Sequence, residues 1–263
     1  MRRTQFIVGL GVFAAANMTW TRSALSQVPG PVSLGSQGAL YQFSLKGDGV
    51  TSDCLAAVLP QSAFEARILS NRLRPSDNAI VADLAQETGA VVGINGGFYS
   101  MAGGPDGLLI LDGKRIGYAR SDWKGYFSID GTGAASIGTD VQPTVPYAMQ
   151  GYPMLIEPGG VMGIRSNDHI QARRSVIAQS GSTIVAMVVS QISLFELASF
   201  LMQNPSAFGL THFDAALNLS GSATSGFYAK MPHGKSVNVQ AQASSRDVIA
   251  FYNKAAPAAS ASP

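Results

Sequence analysis

The stretch "VVGINGGFYS" (Val91–Ser100) decides how this chain is read. Apolar residues run up to Ile94, as in a buried strand, and then give way to Asn95, Gly96, Gly97 and the aromatic pair Phe98 and Tyr99. A strand that ends in an amide, followed by two positions without side chains, marks a turn. It also marks a backbone that can approach a ligand, because glycine leaves its N–H groups uncovered. The device recurs in "AALNLSGSATSGFY" (Ala215–Tyr228), with Asn218 at the end of an apolar strand, a Gly/Ser stretch, and then Phe227 and Tyr228. Two strand ends of one sheet, built alike, predict a polar floor for a ligand. Amide side chains both donate and accept, which suits sugar hydroxyls. Bare N–H groups suit an anion such as phosphate, and the aromatics can stack on a sugar face or serve the core.

Working outward, the chain reads as short strands joined by tight turns. "ARILSN" (Ala66–Asn71) is a strand, and "SDNAIVADLAQETG" is a helix capped by Ser76 or Asp77 and stopped at Gly89. Hairpins are expected at Asp112–Gly113, Asp130–Gly131, Pro158–Gly159–Gly160 and Gly181. "SLFELASFLMQN" is the clearest helix, with Ser193 and Glu196 as a capping box and Leu194, Leu197 and Leu201 along one side. "DAALNL" is a strand, and "SRDVIAFYN" is expected as an edge strand closing the domain. The fold class is α+β, with mixed, mostly antiparallel sheets and at least two helices packed on them.

Both ends are expected to lie outside that fold. Residues 1–26 have the layout of an export signal: Arg2 and Arg3, an apolar run from Phe6 to Ala16, and Ala24 and Ser26 before a cleavage at Gln27. The Sec and twin-arginine routes both stay open. The folded domain spans 27–253, and 254–263 is an Ala/Pro/Ser tail without periodicity. The formal net charge is +2, and three arginines with no acid precede Gln27, so the remainder carries −1. No basic stripe is left for nucleic acid. No other apolar run is long enough to cross a membrane after signal cleavage. The expected location is periplasmic or secreted. The single cysteine, Cys54, sits in an apolar setting and reads as buried.

Six segments in order, "INGGFY", "PDGLLILDGK", "GYPMLIEPGG", "RRSVIA", "SLFELASFLM" and "AALNLSGS", resemble the phosphodiester glycosidase family. The resemblance runs from about Leu40 to Tyr252. It implies an enzyme that releases a sugar, N-acetylglucosamine in the uncovering-enzyme type, from a sugar-1-phosphodiester. It implies substrate contacts at Asn95, Gly96, Gly97, Phe98 and Gly221. The family's Pro-Arg-Thr-like strand start places its Arg on Arg174, and its Asn-Leu-Asp-Gly-Gly-Gly-Ser signature falls on Asn218–Ser222. There Ser220 stands at the family's Asp and Ser222 at a Gly. Serine hydrogen-bonds but carries no charge at neutral pH, so either another acid acts or this member has lost turnover.

The residues expected to carry the chemistry follow. Phosphate is a good leaving group, so the site must chiefly bind the anion, place a water and support an oxocarbenium-like centre. Arg174 is the candidate anion fork, and Arg173, its neighbour on the strand, faces the other way. Asp106 is the candidate acid or base, and Asn218 and Ser220 complete the catalytic set. Asp168 and His169, on the loop before Arg174, can reach the same pocket, with His169 counted as substrate-binding. No cofactor is implied. No cysteine pair or closely spaced histidines point to zinc, while an oxygen-held calcium or magnesium stays open. The partner class is a carbohydrate or glycosyl phosphate. The alternative is a carbohydrate-binding envelope protein with the same fold and a degenerate site.

Overall fold

The computed structural model describes residues 30–35, 37–47, 49–71, 80–142 and 144–254. The export segment, the helix-start candidates Ser76 and Asp77, and the tail from residue 255 lie outside the described residues. The described chain opens with β1 (Val32–Ser33), β2 (Ala39–Gly47) and β3 (Val50–Pro60), then β4 (Phe64–Ser70). Helix α1 (Val81–Thr88) buries Val81, Leu84 and Ala85 and stops at Gly89, which takes the left-handed φ of 75°. Strand β5 (Val92–Asn95) follows at once.

The expected hairpins form. β6 (Leu109–Leu111) and β7 (Lys114–Arg115) flank Asp112–Gly113, and β8 (Gly125–Ile129) pairs with β9 (Ala135–Gly138). After β10 (Tyr147–Gly151), β11 (Met154–Glu157) pairs with β12 (Val161–Met162), and β13 (Ala172–Ser180) with β14 (Thr183–Ile192). Helix α2 (Leu194–Gln203) carries the capping box: Ser193 Oγ accepts from the Glu196 N–H and Glu196 Oε2 accepts from the Ser193 N–H, each at 3.2 Å. The last strands are β15 (Ala215–Asn218), β16 (Phe227–Lys230), β17 (Ser236–Val239) and β18 (Asp247–Asn253).

Among the described residues the strands form three antiparallel sheets: β1-β2-β3-β14-β13-β15-β11-β12, β7-β6-β10-β8-β9 and β17-β16-β5-β18-β4. Two expectations are corrected. β18 is no edge strand, because it pairs with β5 on one side and β4 on the other. The two Asn-bearing strands do not share a sheet: β5 lies in the third and β15 in the first. Sequence periodicity reports which face of a strand is apolar but not which strand lies beside it.

All three sheets contribute to the central core. Leu59 and Ile177 come from the first, Leu109, Phe127 and Met149 from the second, and Ile94, Phe227 and Ile249 from the third. The alternate residues of β13, Val176 and Ala178, turn to the far face of the large sheet, where α2 adds Leu197, Phe200 and Leu201. Each large side chain buried in this way contributes roughly 1.5–3 kcal/mol. The period-2 alternation of β13 therefore sends Ser175 and Arg173 towards the inter-sheet core and Arg174 towards the α2 side.

Candidate functional site

The two Asn–Gly turns meet where the first and third sheets join. Asn95 is 1% exposed and every polar group of its amide is used. Its Nδ2 donates to the Ser220 carbonyl at 2.6 Å, while its Oδ1 accepts from Ser175 Oγ at 2.6 Å and from the Gly226 N–H at 3.1 Å. The Ser220 N–H returns a bond to the Gly96 carbonyl at 3.1 Å. Asn95 is thus the buried strut joining the turns. Gly96 has to be glycine: a Cβ there would lie 2.6 Å from Met149 Cε and 2.9 Å from the Asp247 carbonyl.

Ser220 is nearly buried, and its Oγ lies 2.8 Å from Thr224 Oγ1. Asn218 is 4% exposed, with Nδ2 donating to the Tyr152 carbonyl at 2.7 Å and Oδ1 buried without a partner among the described residues. The backbone N–H groups of Gly97, Phe98, Gly221 and Ser222 make no hydrogen bond among the described residues. These are the bare donors expected from the sequence, one pair on each turn.

Beside the turns stands an aromatic group that the sequence reading missed. The Trp123 ring stacks on Tyr152 at 5.6 Å and 12°, meets Phe98 edge-on at 5.1 Å, and has the Arg120 guanidinium 4.8 Å from its centroid. Buried Gln150 fixes the loop carrying them. Its Oε1 accepts from the Leu108 and Arg120 N–H groups, and its Nε2 donates to the Arg120 and Trp123 carbonyls. Gly107, at φ 150°, passes against Gln150, and a side chain there would press on its Oε1 at 3.0 Å. Arg120 forks between Asp122 at 3.1 Å and Asp106 at 3.2 Å. The bonds to Asp122 and then Asp106 raise the Arg120 pKa, and the Arg120 bond holds Asp122 below the usual carboxylate range. Asp106 remains about 42% exposed, and its N–H is bonded to the Phe98 carbonyl. The tract "YARSDWKG" (Tyr118–Gly125), where aromatics alternate with charges outside any apolar run, held the available signal.

The structure therefore gathers Asn95, Gly96, Gly97, Phe98, Asp106, Asn218, Ser220 and Gly221 into one region. It does not bring Arg174 there. The Arg174 side chain leaves β13 on the face opposite Ser175, donating Nε to the Ile192 carbonyl at 3.1 Å and Nη2 to the Ile170 carbonyl at 2.8 Å. Burial pulls its pKa below the ordinary value, with Asp168 acting the other way. Arg173 faces the inter-sheet side instead, bonded to the Gln240 carbonyl at 3.1 Å. His169 is exposed at φ 57° in the loop before β13, with its N–H on Asn167 Oδ1. Phe227 and Tyr228 are core residues, at 0% and 5% exposure, and leave no face for a sugar.

A cleft of about 760 Å³ opens at Tyr152, between the ends of the β8–β9 hairpin, β11, the loop before β13 and the start of α2. Among the described residues no three His, Cys, Asp or Glu side chains gather as for a metal ion, and no helix is long and apolar enough to cross a membrane.

No curated protein sequence matches the chain. Among solved structures it is similar to a hypothetical protein from Synechocystis, with a TM-score of 0.65 and 13% identity over 87% of this chain. It spans 64% of that protein's length. It is also similar to the zebrafish N-acetylglucosamine-1-phosphodiester alpha-N-acetylglucosaminidase catalytic domain auto-inhibited by its pro-peptide. There the TM-score is 0.63 and the identity 13%, over 87% of this chain and 88% of that one. A Burkholderia pseudomallei protein classed as exported gives a TM-score of 0.55 at 10% identity, over 77% of this chain and 74% of that one. At such identities these likenesses speak for the fold. The sequence model of the phosphodiester glycosidase domain matches residues 88–252, more than half of the chain and both Asn–Gly turns. The chain belongs to the phosphodiester glycosidase family.

Proposed function

We propose that this protein is an exported hydrolase that cleaves the sugar–oxygen bond of a sugar-1-phosphodiester in a glycan, lipid or envelope polymer. Water adds to the anomeric carbon and the phosphate leaves as a monoester. The observation that carries this reading is the lacing of the two turns by Asn95 and Ser220, which sets their four unpaired N–H groups beside a half-exposed aromatic group. N–H groups of this kind take the phosphate. Arg120 adds a positive charge, already shared with Asp106 and Asp122. Asp106, half-exposed next to Phe98, is the acid or base available where the family signature has an Asp and this chain has Ser220. Of the aromatic rings Tyr152, with its exposed side, offers a surface to a sugar ring of the substrate, since Trp123 is engaged by Tyr152 and Arg120.

A second reading, a carbohydrate-binding protein without turnover, draws support from Ser220 itself, whose hydroxyl is engaged with Thr224 and carries no charge. One assay separates the two: incubate the purified chain with a panel of glycosyl-1-phosphodiesters and measure free sugar by mass spectrometry. Released sugar with a phosphomonoester product supports the hydrolase. Binding without release across the panel supports the second reading.

A further inference from the structure

We propose that the cleft beyond Tyr152 is a glycan subsite that holds at least two sugar rings on the far side of the phosphodiester, so that the substrate is an oligosaccharide or polymer rather than a single glycosyl phosphate. The proposal rests on the glycosyl-phosphodiester reading and deepens it. Tyr152 belongs to both places. One face of its ring lies on Trp123, its carbonyl holds Asn218, and its side chain, 47% exposed, lines the cleft. Through Phe98, Trp123 and Tyr152 the first turn is thus connected to the cleft by ring contacts.

The walls suit uncharged rings that carry many hydroxyls. Lys124 and Arg165 stand with Asp122, Glu157 and Asp168, Asp122 being already paired with Arg120, and Phe195 adds an apolar surface from the start of α2. Acids and bases in near balance disfavour a polyanion. Interspersed with aromatic surface, they offer donors and acceptors to hydroxyls and a platform to ring C–H groups. The volume of about 760 Å³ lies in the upper part of the roughly 300–1,000 Å³ range of small-molecule sites. A site of that size takes a drug-sized ligand, the scale of two linked hexoses. The loop carrying Arg165 and Asp168 is tied down behind the cleft. Arg174 holds the Ile170 carbonyl, and Gln171 Nε2 donates to Glu196 Oε2 at 2.7 Å.

The chain has two tryptophans, Trp20 and Trp123, so Trp20→Phe leaves Trp123 as the one reporter beside the cleft. The full chain with that substitution is titrated with unphosphorylated gluco-, manno- and chito-oligosaccharides of one to six units. Trp123 emission is followed and calorimetry serves as a second readout. The expected result is saturable binding in at least one series, tenfold or more tighter for three units than for one, and weakened tenfold or more by Lys124→Ala with Arg165→Ala. Absence of binding in all three series, equal affinity for one and three units, or insensitivity to the double substitution would overturn it. Hydrolysis of one-sugar phosphodiesters with no gain from chain length defeats the subsite and leaves the hydrolase. Length-dependent binding without hydrolysis does the reverse.

Discussion

Asn95 Nδ2 and the Ser220 carbonyl, 125 residues apart in the chain, are joined by a buried hydrogen bond of 2.6 Å. With the Ser175 hydroxyl and the Gly226 N–H on its Oδ1, Asn95 joins its own strand to β13 and to the segments that follow β15 and precede β16. An amide is the side chain for this task, since it donates and accepts at once and carries no charge into the core. Its bonds hold the two turns together, with the unbonded N–H groups of Gly97 and Phe98 next to it in the chain.

Asn95→Ala leaves a hydroxyl, a carbonyl and an N–H buried and unpaired. Each costs about 1–3 kcal/mol, so the expected loss is about 3 kcal/mol or more. Ser175→Ala removes one donor and is expected to cost about 1 kcal/mol. Urea unfolding of the two variants checks the order. Asn95→Ala as stable as wild type would contradict the strut.

Asp106→Asn keeps the shape of the side chain and removes its proton chemistry. Turnover is expected to fall about a hundredfold or more while binding survives. If Asp106 supplies the acid, Ser220→Asp is expected to change turnover little. A large gain from Ser220→Asp over an inactive wild type would instead favour the non-catalytic reading. Equal activity in wild type and both variants would place the chemistry outside the two turns.

The Arg120 fork sets a pH signature. Asp122 is held below the ordinary carboxylate range by Arg120, so its contribution is present above the unfolded carboxylate value and is lost as pH falls through the lowered one. Emission from Trp123, which lies under Arg120, is expected to stay flat from about pH 5 to 8 and to change only below about pH 4. A transition between pH 6 and 8 would point to a histidine beside the ring instead. Arg120→Gln is expected to move the acid-range transition to higher pH, because Asp122 loses the bond that lowers it.

Cys54 is fully buried, and burial pushes its thiol well above its usual range. It is expected to resist alkylating reagents in the native chain and to react once the chain is unfolded in urea. Rapid native labelling, followed by mass spectrometry, would show that the β3 face is open.

Local chemistry was legible in the sequence and long-range pairing was not. The Asp112–Gly113 turn, the Gly89 stop and the Ser193–Glu196 box each lie within a few residues and form as read. The alternation that parts Arg173 from Arg174 was also visible. Which of the two faces the turns depends on which sheet covers each side of β13, and no local pattern reports that. The same gap made β5 and β15 appear to share a sheet and β18 appear to be an edge. Trp123 and Tyr152 lie in irregular segments without period, so their stacking arises from the meeting of the second sheet with β11.

Whether the two Asn–Gly turns and the Trp123–Tyr152 pair form one site is tested by a crystal structure of the chain with a non-hydrolysable glycosyl-1-phosphonate diester. The phosphonate oxygens are expected within hydrogen-bond distance of the N–H groups of Gly97, Phe98, Gly221 or Ser222, and the diester's far arm directed past Tyr152 into the cleft. A phosphonate seated on Arg174 or on Arg173, with both turns empty, would contradict the single site.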